Sequence, residues 1–209
     1  LSTLEEGYGI NLVPLATFAM ETYGDEPCTE FEPKLGKDND VDDKTRRLIT
    51  LMHKAIAILQ FKVEGELFIK HPEWNMADRL LFNHINYTDG TIDIDGKQYE
   101  LRSNNFVTID PKEPYRLSAE EEDLMEKLVH TFRVSEKLHK HIRLLLQHGC
   151  MYAVFNNNLL FHASIPLNED GTLKEVEVTP GKKYKGKDLL YNIGMLIRKA
   201  FQEYATPKE

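Results

Sequence analysis

Cysteine is scarce in this chain: Cys28 and Cys150 are its only two. Their wide separation excludes a disulfide framework, and a reducing compartment, taken as the cytoplasm, is the default reading. Positive charge is also in short supply. Lys and Arg number 26 against 34 Asp and Glu, for a formal net charge of −8 and a pI of about 5.5. That balance excludes attachment to nucleic acid by bulk charge but leaves open a local metal or phosphate site. Apolar runs are short, as at 144–146 and 152–155, far below a membrane span. There is no internal repeat or low-complexity stretch. Three motifs are missing as well: a G-x-S-x-G nucleophile elbow, a G-x-x-x-x-G-K-[ST] phosphate loop and a C-x-x-C pair. The sequence opens at Leu1 without a charged, apolar and small-residue leader, so the expectation is a piece of a longer polypeptide holding part of a site.

What is present suffices for one large domain or two small ones: 209 residues, 41% hydrophobic, with ten Phe and nine Tyr to fill a core. Residues 1–24 read as helical, interrupted by Gly7, Gly9 and Pro14. Pro14 suits a first turn, Leu15 and Ala19 follow at helix spacing, and Gly24 is a stop. Residues 25–45 are a loop with an Asp cluster. A calcium loop starting at Asp38 needs Gly at position six and Glu at position twelve; Asp43 and Ile49 stand there, so a solvated loop is read instead. Residues 46–64 carry the clearest helical stripe, with Leu51, Met52, Ala55, Ile56, Leu59 and Val63 on one face. Gly65 is a point of interruption and Pro72 a break, with a short helix over 76–82.

Asp95-Gly96 between short strand-like runs predicts a hairpin near 91–101. Ser118 and Glu121 form a capping box ahead of a helix of about 15 residues. Ser135 is the N-cap of a further helix that Gly149 stops. Two nearly all-apolar runs around Asn156 and Asn157 read as a hairpin of largely buried strands. Asp188 caps a last helix through about Tyr204, with Leu189, Leu190, Ile193, Leu196, Ile197 and Phe201 as its stripe.

Eight histidines invite a metal reading. His139 and His141 lie two apart in a predicted helix, about 200° around the axis, so the pair does not share one ion. His130 and His148 suit helix C-termini, where a cationic imidazole meets the negative dipole end. His53 and Lys54 lie together on a helix as an anion contact or, alternatively, a solvated face. His71 and His84 have no partner by spacing. His162 differs: it ends the apolar strand 159–161 and precedes the small residues Ala163 and Ser164. At a strand end it is either a metal ligand or a core histidine hydrogen-bonded to backbone. Residue types and spacing stop there, at a mixed α/β (α+β) chain with one suggestive histidine.

Four long runs carry more. GYGINLVPLATFAMETYG (7–24), MHKAIAILQFKVEGE (52–66), FVTIDPKEPYRLSAEE (106–121) and YAVFNNNLLFHASIPLNEDG (152–171), in this order and spacing, resemble the class III fructose-1,6-bisphosphatases of Firmicutes and Bacteroidetes-type bacteria. The resemblance covers nearly the whole sequence and a middle part of the family's longer chain. It implies a core similar to the calcineurin-like metallophosphoesterases: a β-sandwich with a two-metal centre at its strand ends and a helical insertion carrying a hairpin. On that reading residues 1–45 are an N-terminal helix and acidic loop, 46–148 the insertion, and 149–209 strands and a C-terminal helix of the core.

The implied reaction is Mn²⁺-dependent hydrolysis of fructose 1,6-bisphosphate to fructose 6-phosphate, a gluconeogenic step. The family's Phe-His-Gly-Cys-Ile-Pro matches residues 161–166, which carries the role of metal ligand onto His162. Ala163 stands for the family's Gly and Ser164 for its Cys. The family's other metal-binding blocks (Asp-x-His-Gly, Gly-Asp-x-x-Asp-Arg-Gly, Gly-Asn-His-Asp and Gly-His) are not in the sequence. The expected partners are therefore the substrate and the remainder of the same polypeptide, in a homo-oligomer, with no nucleic acid and no membrane. These residues alone are expected to be inactive, with an open sheet edge and bare apolar surface. Lys54, Arg79 and Arg102 are phosphate-gripping candidates by charge only. The alternative is a non-catalytic regulatory or interaction module.

Overall fold

The computed structural model describes residues 1, 3–34, 41–161 and 164–205. The chain divides into two compact units, Leu1–Ser135 and Glu136–Glu209. It is a mixed α/β chain whose sheets, among the described residues, are small and antiparallel: one of three strands and two of two.

In the first unit a π-helical turn (Thr3–Gly7) leads into helix α1 (Val13–Tyr23), which has Pro14 in its first turn. Helix α2 (Asp43–Lys70) begins where Asp42 accepts the backbone N–H groups of Lys44 and Thr45, both at 3.0 Å. Those bonds satisfy donors that the helix itself leaves orphaned. The helix runs straight through Gly65, contrary to the expected interruption, because that glycine is a packing position: a Cβ there would lie 2.0 Å from Cδ1 of Tyr115. The Tyr115 ring fills the space and stacks on Phe82 at 5.4 Å, and its hydroxyl accepts the Phe82 N–H at 2.9 Å. The absent side chain thus admits a ring, and the gain in packing outweighs the roughly 1 kcal/mol propensity cost of a helical glycine.

Beyond Pro72 the expected short helix is a pair of 3-10 turns, Ala77–Arg79 and Leu81–His84. They feed β1 (Ile85–Asn86), β2 (Thr91–Ile94) and β3 (Lys97–Glu100). Asp95 (φ 54°) and Gly96 (φ 73°) turn between β2 and β3 with the paired left-handed backbone a two-residue hairpin loop demands. Helix α3 (Ala119–Val134) starts on the expected capping box: the Ser118 hydroxyl accepts the Glu121 N–H, and the Glu121 carboxylate accepts the Ser118 N–H at 2.8 Å. The apolar core joins α1, α2 and α3 through Leu15, Tyr23, Leu51, Ala55, Leu59 and Leu124. A second cluster forms around Ile58, Phe82, Ile109 and Tyr115.

The second unit holds α4 (Glu136–His148), β4 (Tyr152–Phe155), β5 (Asn158–Phe161), β6 (Val176–Thr179), β7 (Lys182–Tyr184) and α5 (Gly186–Ala205). Asn156 (φ 48°) and Asn157 (φ 59°) turn β4 back on β5. That hairpin is not buried, contrary to the sequence reading: apart from half-buried Tyr152, every residue of both strands is exposed. An apolar run records that a strand is suited to burial, whereas burial itself requires neighbouring layers, and the described residues of this unit supply none over the hairpin. Helix α5 begins at Gly186, so Asp188 lies in its first turn rather than at its cap. The Arg198 guanidinium donates to the carbonyls of Leu146 (2.9 Å), Gly149 (2.6 Å) and Gly194 (3.1 Å), tying α5 to the C-terminal end of α4. No helix among the described residues is long and apolar enough to cross a membrane.

Candidate functional site

The strand end singled out by sequence is built from the β4–β5 hairpin. Gly149 closes α4 through its N–H bond to the Leu145 carbonyl at 2.7 Å, and Arg198 holds the Gly149 carbonyl. The chain then enters β4, and the pairing Tyr152↔Phe161 brings β5 to its end at Phe161. His162 and Ala163 follow immediately and lie outside the described residues, so the His162 ligand role and the Ala163 backbone are neither supported nor contradicted by geometry. Ser164 is exposed. Past it the chain folds back on itself through the bridge Leu167↔Leu173, around Gly171 at φ +81°. Asp170 ties that loop: it accepts the Thr172 hydroxyl (2.7 Å) and N–H (2.9 Å), and these bonds hold its carboxyl below the usual carboxylate value.

Among the described residues, no group of three or more His, Cys, Asp and Glu is placed to hold a metal ion. Three or more ligands are the ordinary requirement for a catalytic ion. The described residues therefore do not make a metal site by themselves. His139 and His141 lie in α4 as expected, on different sides of a helix.

The first unit contains charge at a place the sequence reading did not foresee. Lys62 and Glu121 are both completely inaccessible, with Nζ–Oε2 at 2.6 Å. Lys62 also donates to the Thr108 carbonyl at 2.6 Å, and the Thr108 hydroxyl lies 3.4 Å from the Tyr23 hydroxyl. Burial pushes the Tyr23 phenol up to about 12. Lys54, offered as an anion contact, is instead sealed in an ion pair with Glu26 at 2.5 Å, its ammonium 4.9 Å from the centre of the Tyr23 ring. It is therefore not available to grip a phosphate. Its neighbour His53 meets the Phe31 carbonyl through Nδ1 at 3.2 Å, so this face of α2 is packed rather than solvated. Arg47 donates to the carbonyls of Gly24, Glu26 and Pro27, which docks the loop after α1 onto α2. One signal in the sequence pointed this way: Lys54 and Lys62 fall in step with Leu51, Ile58 and Leu59 on the apolar stripe, where a lysine requires a buried partner.

Arg79 and Arg102 are exposed, in a 3-10 turn and just beyond β3 respectively. His71, without a partner by spacing, is stacked on Trp74 at 4.4 Å and bonded through Nδ1 to Glu73 at 2.8 Å. Cys28 is buried and Cys150 exposed.

Comparison with known proteins gives a consistent picture. The family model described as Firmicute fructose-1,6-bisphosphatase matches residues 1–209. A protein of Parabacteroides distasonis named fructose-1,6-bisphosphatase class 3 is 57% identical over 210 residues, covering 100% of this chain and 31% of its own length. Proteins of the same name from Alkaliphilus metalliredigens (52% over 208 residues) and Clostridium acetobutylicum (54% over 201 residues) cover 99% and 96% of this chain, and 31% and 30% of their own lengths. The chain thus spans about a third of the curated relatives it matches. No solved structure gives a significant match. With every residue from 1 to 209 inside the matched model, the chain belongs to the Firmicute fructose-1,6-bisphosphatase family.

Proposed function

We propose that these 209 residues are part of a fructose-1,6-bisphosphatase that hydrolyses fructose 1,6-bisphosphate to fructose 6-phosphate and phosphate in the cytoplasm. The observation that carries this reading is the family match over the whole chain, with 57% identity to a relative bearing that name. In this reading the β4–β5 hairpin is part of a metallophosphoesterase β-sandwich, and the first unit is a helical insertion beside it. His162 supplies one ligand to a Mn²⁺ centre whose other ligands lie in the rest of the polypeptide. The ion would stabilise charge on the phosphoryl oxygens and activate water. The described residues do not complete such a centre, so their own part is to carry His162 on a strand end braced by Arg198.

Phosphate release from fructose 1,6-bisphosphate with Mn²⁺ tests the proposal. The full-length polypeptide is expected to turn over, and His162→Ala within it to lose about 100-fold or more, since even outer-shell changes cost 10–100-fold. The 209 residues alone are expected to be inactive. Turnover by these residues alone, or an unaffected His162→Ala, refutes the assignment.

A further inference from the structure

Positive charge is concentrated in one stretch of this acidic chain. Residues 174–199 hold seven Lys and Arg against three Asp and Glu, whereas the whole sequence carries −8. The stretch forms the β6–β7 hairpin and most of α5. Between hairpin and helix lies a cleft of about 460 Å³, a size suited to a small organic molecule.

The hairpin's register decides which lysine reaches that cleft. The pairs are Val176↔Tyr184, Glu177↔Lys183 and Thr179↔Lys182, with a bulge between Glu177 and Thr179. Neighbours along a strand alternate, so Lys182 and Tyr184 share one face, while Lys183 takes the other with Glu177. Thr179, Lys182 and Tyr184 accordingly line the cleft, and Lys183 does not. Helix α5 contributes Arg198 and Lys199, and its Met195 and Leu196 form an apolar wall.

The cations around the cleft are weakly compensated. Among the described residues, the ion pairs of this unit are Lys185–Glu175 at 3.9 Å and Lys199–Glu203 at 3.6 Å, all four side chains exposed. Exposed pairs of this kind contribute little. Lys182 belongs to neither. Arg198 donates to the carbonyls of Leu146, Gly149 and Gly194, so its charge is fixed in place by backbone dipoles rather than by a carboxylate. Cations of one sign gathered on a concave wall focus a positive potential into it.

We propose that this cleft binds a phosphomonoester, its phosphate on Lys182 and Lys199 in the field of Arg198, and its organic group against Tyr184, Met195 and Leu196. A dianion matches several cations, and the exposed apolar wall gives the ester's body a surface to cover. Two sources share this chemistry: the phosphate of fructose 1,6-bisphosphate that is not hydrolysed, and a separate regulatory phosphomonoester. Binding in the cleft is independent of the reaction catalysed; only the choice between these sources rests on the proposed function.

The probe is phenyl phosphate, titrated calorimetrically into the full-length polypeptide after chelation, so that no metal ion contributes. Lys182→Ala is expected to weaken binding about 10-fold, and Lys183→Ala, on the opposite face of the same hairpin, to leave it unchanged. Met195→Glu, which puts a carboxylate into the cleft, should abolish it. Phenol should not compete, and inorganic phosphate should bind more weakly than its phenyl ester. Both lysines are exposed, so circular dichroism should be the same for either variant. The proposal fails if phenyl phosphate does not bind, as when the rest of the polypeptide fills the cleft. It also fails if the two lysine variants weaken binding equally, which marks diffuse charge, or if phenol competes. Turnover with Mn²⁺ then separates the sources. A raised KM for fructose 1,6-bisphosphate at constant kcat in Lys182→Ala assigns the cleft to the substrate. A kcat that phenyl phosphate changes in the unaltered protein but not in Lys182→Ala assigns it to a regulator. Binding of this specificity without phosphate release overturns the proposed reaction and leaves the cleft standing.

Discussion

Replacing Lys62 by methionine isolates the energetics of the buried ion pair. The substitution keeps an unbranched side chain and removes the ammonium. Glu121, wholly inaccessible, would keep the Ser118 N–H on Oε2, while its Oε1 already has no hydrogen-bond partner. The Thr108 carbonyl would lose its 2.6 Å donor. Removing one member of a buried pair typically costs about 3–5 kcal/mol, because a desolvated charge is left uncompensated. Domains of this size are stable by about 5–15 kcal/mol, so Lys62→Met should remove roughly a fifth or more of the total. The double variant Lys62→Met/Glu121→Gln leaves no buried charge and should recover most of the loss, a coupling of about 2 kcal/mol or more. Native-state hydrogen exchange of α2 amides is the suitable assay, because it reports the first unit without interference from the second. A Lys62→Met loss below about 0.5 kcal/mol, or a double variant costing the sum of its singles, would falsify the reasoning.

Two further outcomes follow from the same unit. Gly65→Ala should destabilise despite the better helix propensity of alanine, since the new methyl would meet the Tyr115 ring at 2.0 Å. Overpacking of about 1–3 kcal/mol against a propensity gain of about 1 predicts a net loss, measurable as a lower urea midpoint and relieved by Tyr115→Leu. At alkaline pH, burial pushes the phenols of Tyr23 and Tyr87 up to about 12 from an ordinary 10.0. A raised phenol contributes stability that is full below pH 10 and drains as pH rises through about 12. For Tyr23 the loss reaches about 2–3 kcal/mol. Tyrosinate absorbance should therefore show these two rings ionising late and together with unfolding, and Tyr23→Phe should flatten the alkaline limb.

Local signals in the sequence proved sufficient wherever the physics is local. The Ser118–Glu121 capping box closes over four consecutive residues, and the turns at Asp95-Gly96 and Asn156-Asn157 need only residues tolerant of left-handed backbone. Helix α2 was visible from its stripe, but its length was not: the Asp42 cap and the passage through Gly65 depend on a carboxylate geometry and on a ring from residue 115. The candidate site was read at one residue, His162, first from its place at a strand end and then from likeness to a family; that residue lies outside the described ones, and a metal centre draws its other ligands from separated stretches of chain.

The sequence by itself determined the start of α3, the hairpin turns and family membership, all written in contiguous residues. Only the tertiary structure decided where charge and apolar surface go: Lys54 and Lys62 inside with Glu26 and Glu121, and the apolar β4–β5 strands outside. Burial is a property of whatever lies across the gap. No single stretch of sequence records its own neighbours.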